Sequence, residues 1–267
     1  MKQVRKFNQA AAKLGFTLIE LSIVLVIIGL IVGGILVGQD LIKAAEIRAT
    51  VSQMEKYATA VNTFRSKYNG MPGDLLNATN FGFESRSITG TGDGDAQLES
   101  AAGTSGDFAG ETSCFWDDLN TAGMIADSLN GSTTCGNAQT AASLGSALPI
   151  AKLGRGNYLV VGSSAGINYW ALTGVTAITA GVYSFDDLLT GLESFQIDSK
   201  IDDGAPTSGG VIAMVAQTAS AGSSIWTVTD AVAAANTGVC VLAGNLYNFT
   251  TASGNDQGCQ LRLRSNF

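Results

Sequence analysis

The sequence predicts an α+β fold: a long N-terminal helix, membrane-spanning in its first half and amphipathic in its second, packed against an antiparallel β-sheet in a disulfide-stapled globular domain. Three observations lead there. Residues 16–37 form an apolar run containing one charge. Residues 39–68 keep apolar side chains at helical spacing with no proline or glycine among them. The rest of the chain alternates β-rich runs with Gly- and Ser-rich turns and carries all four cysteines. The expected organisation is a leader at 1–15, the helix at 16–69 with its membrane-spanning part at 16–38, and a globular domain at 70–267.

The leader holds Lys2, Arg5, Lys6 and Lys13 and no acidic residue. Phe16 to Val37 supplies 22 residues with Glu20 as the sole charge, and about 20 apolar residues cross a bilayer core. Basic residues before the run and Asp40 after it place the N-terminus in the cytoplasm and the body outside, by the positive-inside rule. The run is longer than the apolar core of a secretory signal peptide, which is followed by its cleavage site, and the plausible processing point here precedes the run. A plain signal anchor explains the flank and the length. It does not explain Glu20, because a carboxylate within a membrane segment is expensive and usually has a partner.

Beyond the membrane the helix continues. Ile47, Val51, Met54, Ala58, Val61, Phe64 and Tyr68 recur at steps of three or four, opposite Arg48, Glu55, Lys56, Arg65 and Lys67. Asn69-Gly70-Met71-Pro72 is a stop signal. One helix from Phe16 to Tyr68 would reach roughly 80 Å; two helices broken near Gly38 are the alternative.

Composition excludes several functions. The chain of 267 residues contains no histidine, which removes Ser-His-Asp and Cys-His catalysis and the usual zinc sites. Outside the leader, 11 basic residues face 22 acidic ones, so nucleic-acid binding is not expected. Cys114, Cys135, Cys240 and Cys259 are too widely spaced for a metal knuckle. Four cysteines on the outer side read as two disulfides, with three connectivities open. Of these the local pairs Cys114–Cys135 and Cys240–Cys259 are preferred. Each closes a loop of about 20 residues, worth roughly 3 kcal/mol.

Within the body, Thr89 to Asp95 reads as a solvated acidic turn. Its Asp93, Asp95 and Glu99 do not keep EF-hand spacing. Phe115 to Ile125 predicts a short helix ending at Gly123, with Trp116, Leu119 and Ala122 facing the core. Tyr158–Val161 and Ile167–Thr173 predict strands joined through 162–166. Those five residues also match G-x-S-x-G, but a nucleophile elbow needs a following helix and a histidine base, so Ser164 is read as a turn residue. Ser184 to Ile201 predicts a helix with a capping box at Ser184 and Asp187 and a face of Phe185, Leu188, Leu192 and Phe195. Val211–Gln217 and Ser224–Thr229 predict further strands.

Gly15-Phe16-Thr17-Leu18-Ile19-Glu20 resembles the cleavage and methylation motif of type IV pilins and type II secretion pseudopilins. The resemblance covers residues 1–45 and implies a pilin-like fold. It implies cleavage after Gly15 by a prepilin peptidase, N-methylation of Phe16, and pairing of Glu20 with the Phe16 amine of a neighbouring subunit. Many members carry a proline near the end of the apolar span; this chain has Val37 there, with Gly29, Gly33, Gly34 and Gly38 nearby. Those glycines suit close helix packing. Met71–Asp74, Phe115–Ile125 and Ile197–Pro206 are also similar to stretches of pilin-like chains. Cys240–Cys259 resembles the disulfide-bounded C-terminal loop of that family. By the same resemblance Asp198, Asp202 and Asp203 are weak calcium candidates; helix-end and turn roles are the preferred reading, and no cofactor is expected.

The resulting expectation is a non-enzymatic structural subunit of a type IV pilus-like filament, anchored singly in the inner membrane before export to the cell surface. Its partners would be further copies and other pilin-like subunits, the prepilin peptidase and methylase, and an inner-membrane assembly platform. A pseudopilin of a type II secretion system or a minor tip pilin is the alternative within the family. A membrane-anchored extracytoplasmic adhesin or binding module is the alternative outside it. An anchored acid-pair hydrolase is the remaining rival.

Overall fold

A computed structural model describes residues 17–85, 92–99, 108–129, 143–179, 181–186, 188–214, 240–242, 244–249, 257–265 and 267. The chain divides into two compact units, up to Ala45 and from Glu46 to Phe267.

Helix α1 (Leu18–Tyr68) runs for 51 residues without interruption, so the alternative break near Gly38 does not occur. Up to Ala45 none of its residues is buried. This part is long and apolar enough to cross a membrane. From Ile47 onward the helix buries one stripe: Ile47, Thr50, Gln53, Met54, Tyr57, Ala60, Val61 and Phe64. The stripe is rotated from the predicted one. Val51, Ala58 and Tyr68 lie at its margin, while two polar residues sit on its centre line. Thr50 is accommodated by donating to Glu46 O at 2.9 Å. Gln53 Nε2 donates to Ile150 O at 2.9 Å and to Tyr57 Oη at 3.0 Å, and Gln53 Oε1 accepts from Lys152 N at 3.0 Å. Buried polar groups are tolerated when they are bonded in this way.

After a 3₁₀ turn at Ala78–Phe81 come α2 (Glu111–Thr121), a one-turn α3 (Leu144–Ala147), and the strands β1 (Asn157–Ser164), β2 (Ile167–Thr179), β3 (Val182–Asp186) and β4 (Leu189–Thr190). Beyond them lie α4 (Gly191–Ile201), β5 (Val211–Met214), β6 (Val241–Leu242), β7 (Leu246–Tyr247) and β8 (Gln257–Arg264). Six strands form one antiparallel sheet in the order β1-β2-β8-β4, with β3 also on β2 and β5 also on β8; β6 and β7 pair separately. The pairing Val161↔Trp170↔Leu263↔Val211 sets a row of apolar side chains on one face. Trp170 carries that face onto the helix: its ring lies 6.5 Å from Tyr57 and 5.5 Å from Trp116 of α2. Trp116 and Leu119 are buried as predicted, and Ala122 packs at the core edge.

Three local expectations are corrected. The β1–β2 hairpin turns on two residues, not five. Ala165 and Gly166 take φ of 51° and 77°, the pattern of a type I′ turn whose twist matches the strands, and Gly162 to Ser164 stay in β1. Ser164 leads through this turn into another strand, β2, and not into a helix. The second correction concerns 184–201. Ser184 to Asp186 belong to β3, with Phe185 paired to Val175, and the helix begins only at Gly191. The capping box is Thr190 with Glu193: Thr190 Oγ1 accepts from Glu193 N at 3.2 Å and Glu193 Oε2 accepts from Thr190 N at 3.0 Å. Leu192 is exposed, and Ser194, Ile197 and Asp198 form the buried face instead. The third correction is the acidic turn. Asp93 and Asp95 are solvated, but Gly92 and Leu98 are buried and the main chain between them is pinned to the body. The predicted strand at 211–217 is described only to Met214, and the one at 224–229 lies outside the described residues.

Candidate functional site

The first site lies at the start of α1. Glu20 Oε2 accepts from Thr17 N at 2.8 Å and from Thr17 Oγ1 at 2.7 Å, and Thr17 Oγ1 is 3.3 Å from Glu20 N. This is a capping box, threonine at the helix entrance and glutamate three residues on. It satisfies orphan backbone donors and holds the carboxylate to its own helix. Thr17 escaped the sequence reading, although T-x-x-E before an apolar run signals it. Gly15 and Phe16 lie outside the described residues.

Among the described residues nothing packs against the glycines farther along α1: a Cβ at Gly29, Gly33, Gly34 or Gly38 would meet nothing within 4 Å. Each costs helix stability relative to alanine, about 1 kcal/mol, with no compensating contact among those residues.

The cysteines staple the body. Cys240 and Cys259 are joined, 19 residues apart. Cys114 is disulfide-bonded as well, and Cys135 lies outside the described residues.

Asp198, Asp202 and Asp203 do come together, their carboxylate oxygens within 4.8 Å of one another. Each of the three carboxylates accepts from protein donors. Asp198, fully buried, accepts from Tyr247 Oη at 2.8 Å and Gly204 N at 3.2 Å. Asp202 accepts from the N–H groups of Gly210 and Val211. Asp203 accepts from Ala205 N at 2.9 Å and Ser208 Oγ at 2.8 Å. Burial pushes the Asp198 carboxyl up to about 6, with the Asp203 and Asp202 charges adding to it. The cluster thus ties the end of α4 to the 202–211 loop and to β7.

A second carboxyl pair was not legible. Asp74 and Glu111, both buried, accept four backbone N–H bonds from one loop. Asp74 takes Gly94 N and Ala96 N, each at 2.7 Å, and Glu111 takes Gly92 N and, at 2.9 Å, Glu99 N. Burial pushes both carboxyls up. Gly73 allows the approach: its φ is +87°, and a Cβ there would strike Glu111 O. The pair serves as a clasp for residues 92–99. Neither acid adjoins the 92–99 loop in sequence, so no local signal marked the pair.

No family model, no curated protein and no solved structure matches the chain.

Proposed function

We propose that this chain is a pilin, a structural subunit of a type IV pilus-like filament. It is made as a membrane-anchored precursor, cut after Gly15 and methylated at Phe16. The subunits polymerise through the apolar half of α1. The observation that carries the reading is Glu20. It is the one charge in the membrane-length apolar run at 16–37, whose described residues are none of them buried, and it comes after Gly15-Phe16 at the spacing of a prepilin motif.

The physics fits assembly. In the single subunit Thr17 occupies Glu20 Oε2, and among the described residues no cation reaches the carboxylate. An amine from the next copy neutralises it in a low-dielectric core, where opposite charges attract far more than in water. The glycines with open space above them let a second helix approach closely. The rear half of α1 packs against the body through its buried stripe.

The test is composition of sheared surface filaments. Peptides of this chain should dominate them, and deleting its gene should remove them. Filaments that persist without the chain, with secretion of other proteins lost instead, would favour a type II secretion pseudopilin and refute the pilin assignment.

A further inference from the structure

Helix α1 ends on an Asn-Gly dipeptide that suits its turn and that chemistry makes labile. Asn69, the first residue past the helix, has φ 55°, and its N–H donates to Arg65 O at 2.8 Å. That left-handed helix end favours glycine or asparagine. At Gly70 a Cβ would stand 2.6 Å from Cδ1 of the buried Leu75, which would have to shift to admit it. Asparagine thus suits the left-handed position, and glycine after it avoids that contact.

We infer that Asn69 is a self-modifying site, at which the Gly70 backbone nitrogen closes on the Asn69 side chain. A bond forms between Gly70 N and Asn69 Cγ and the Cγ–Nδ2 bond breaks. The Gly70 amide proton is lost and Nδ2 leaves as ammonia. Water then opens the succinimide at either carbonyl, giving aspartate or isoaspartate. Water is the sole co-reactant, and nothing is oxidised or reduced.

The geometry leaves both reacting groups uncommitted. The Asn69 side chain is exposed, and among the described residues no hydrogen bond holds its amide. The Gly70 N–H likewise has no acceptor among them. Residue 70 lacks a Cβ that would hinder the attacking nitrogen. Both residues line a polar cavity of about 420 Å³, with Asn62, Arg65, Ser66 and Asp74 around it, which admits water. Asp203-Gly204, another acidic or amide residue before glycine, differs: its carboxylate is engaged by Ala205 N and Ser208 Oγ.

The product acts on the fold. A new carboxylate at the C-terminal end of α1 opposes the helix dipole. Isoaspartate also adds a methylene to the main chain at the point where the chain turns inward.

The experiment uses the full chain in detergent micelles, incubated at pH 7 and pH 9 and then digested with trypsin. The peptide beginning at Tyr68 should show the amide-to-acid mass change, faster at pH 9. It should also accept a methyl group from S-adenosylmethionine through isoaspartyl methyltransferase. Asn69→Gly, which keeps the left-handed turn, should lose both signals; Asn69→Gln, which disfavours ring closure, should lose them too. The inference is overturned if the folded chain keeps its Asn69 amide under conditions that convert the excised peptide. It is equally overturned if either variant retains the signals.

Discussion

Gln53 offers a quantitative test of how α1 holds the body. It is a polar residue on the buried stripe of the helix, and it bonds to both sides of one loop residue pair: Nε2 to Ile150 O at 2.9 Å, and Oε1 from Lys152 N at 3.0 Å. Its Nε2 also supports Tyr57, whose hydroxyl donates to Asp127 Oδ2 at 2.7 Å. Replacing Gln53 with alanine leaves a part-buried carbonyl and a part-buried backbone N–H without these partners. Each orphaned group costs about 1–3 kcal/mol when fully buried; these two are partly reached by water and fall at the low end, so the loss should be about 2 kcal/mol in all, before a smaller term for the vacated volume. Gln53→Met separates the two terms. Methionine fills the space and restores neither bond, so it should recover little of the loss. The assay is urea denaturation of the full chain in detergent, paired with trypsin cleavage after Lys152. Lys152 is exposed, yet its backbone is tied to α1, so cleavage there should accelerate in both variants. A loss under about 0.5 kcal/mol, the usual range of a neutral surface change, with unchanged cleavage would refute this anchoring, as would full recovery by methionine.

The same geometry carries other consequences. Glu20→Ala should leave membrane levels and body stability unchanged while abolishing filaments, measured as sheared surface material against the membrane-held pool; normal filaments would contradict the assembly role. Removing the Cys240–Cys259 bond by a double Cys→Ser change should cost about 3 kcal/mol from loop closure alone, measured by denaturation under matched oxidising conditions. Asp198 titrates higher in the folded chain, about 6, than its ordinary 3.8. A raised folded-state value means that its contribution is fully present below pH 3.8 and is lost as pH rises through 6. Asp198→Asn should therefore flatten that part of the stability–pH curve, removing a drop of up to about 3 kcal/mol, while an unchanged curve would refute the assignment.

The features legible in the sequence are those that local periodicity dictates. The apolar run and the stop at Asn69-Gly70 locate α1 to within about two residues at each described end, because helix period and breakers act locally. Strand β1 is readable for the same reason; β2 runs on to Thr179, past its predicted end at Thr173, and helix α2 spans Glu111–Thr121, four residues earlier at each end than the predicted Phe115–Ile125. The region 184–201 misleads because Ser184-x-x-Asp187 and Thr190-x-x-Glu193 are equivalent as local signals. Pairing with β2 decides between them, together with Arg155, which reaches Glu193 at 2.8 Å. The buried stripe of α1 is displaced from its predicted line because Thr50 and Gln53 count as polar until their partners at 46, 150 and 152 are known. At the candidate site, Glu20 is legible as an anomaly of composition. The close approach of Asp74 and Glu111 is not, since they lie on separate segments that only the tertiary fold brings together.

Processing to begin at Phe16, so that Glu20 meets the new amine of a neighbour, is the event on which the proposed assembly depends. The mass of the mature N-terminal peptide tests it most directly. A peptide starting at N-methyl-Phe16, with residues 1–15 gone, is the expected result. A product that retains Met1, or any leader residue, in assembled material would contradict it.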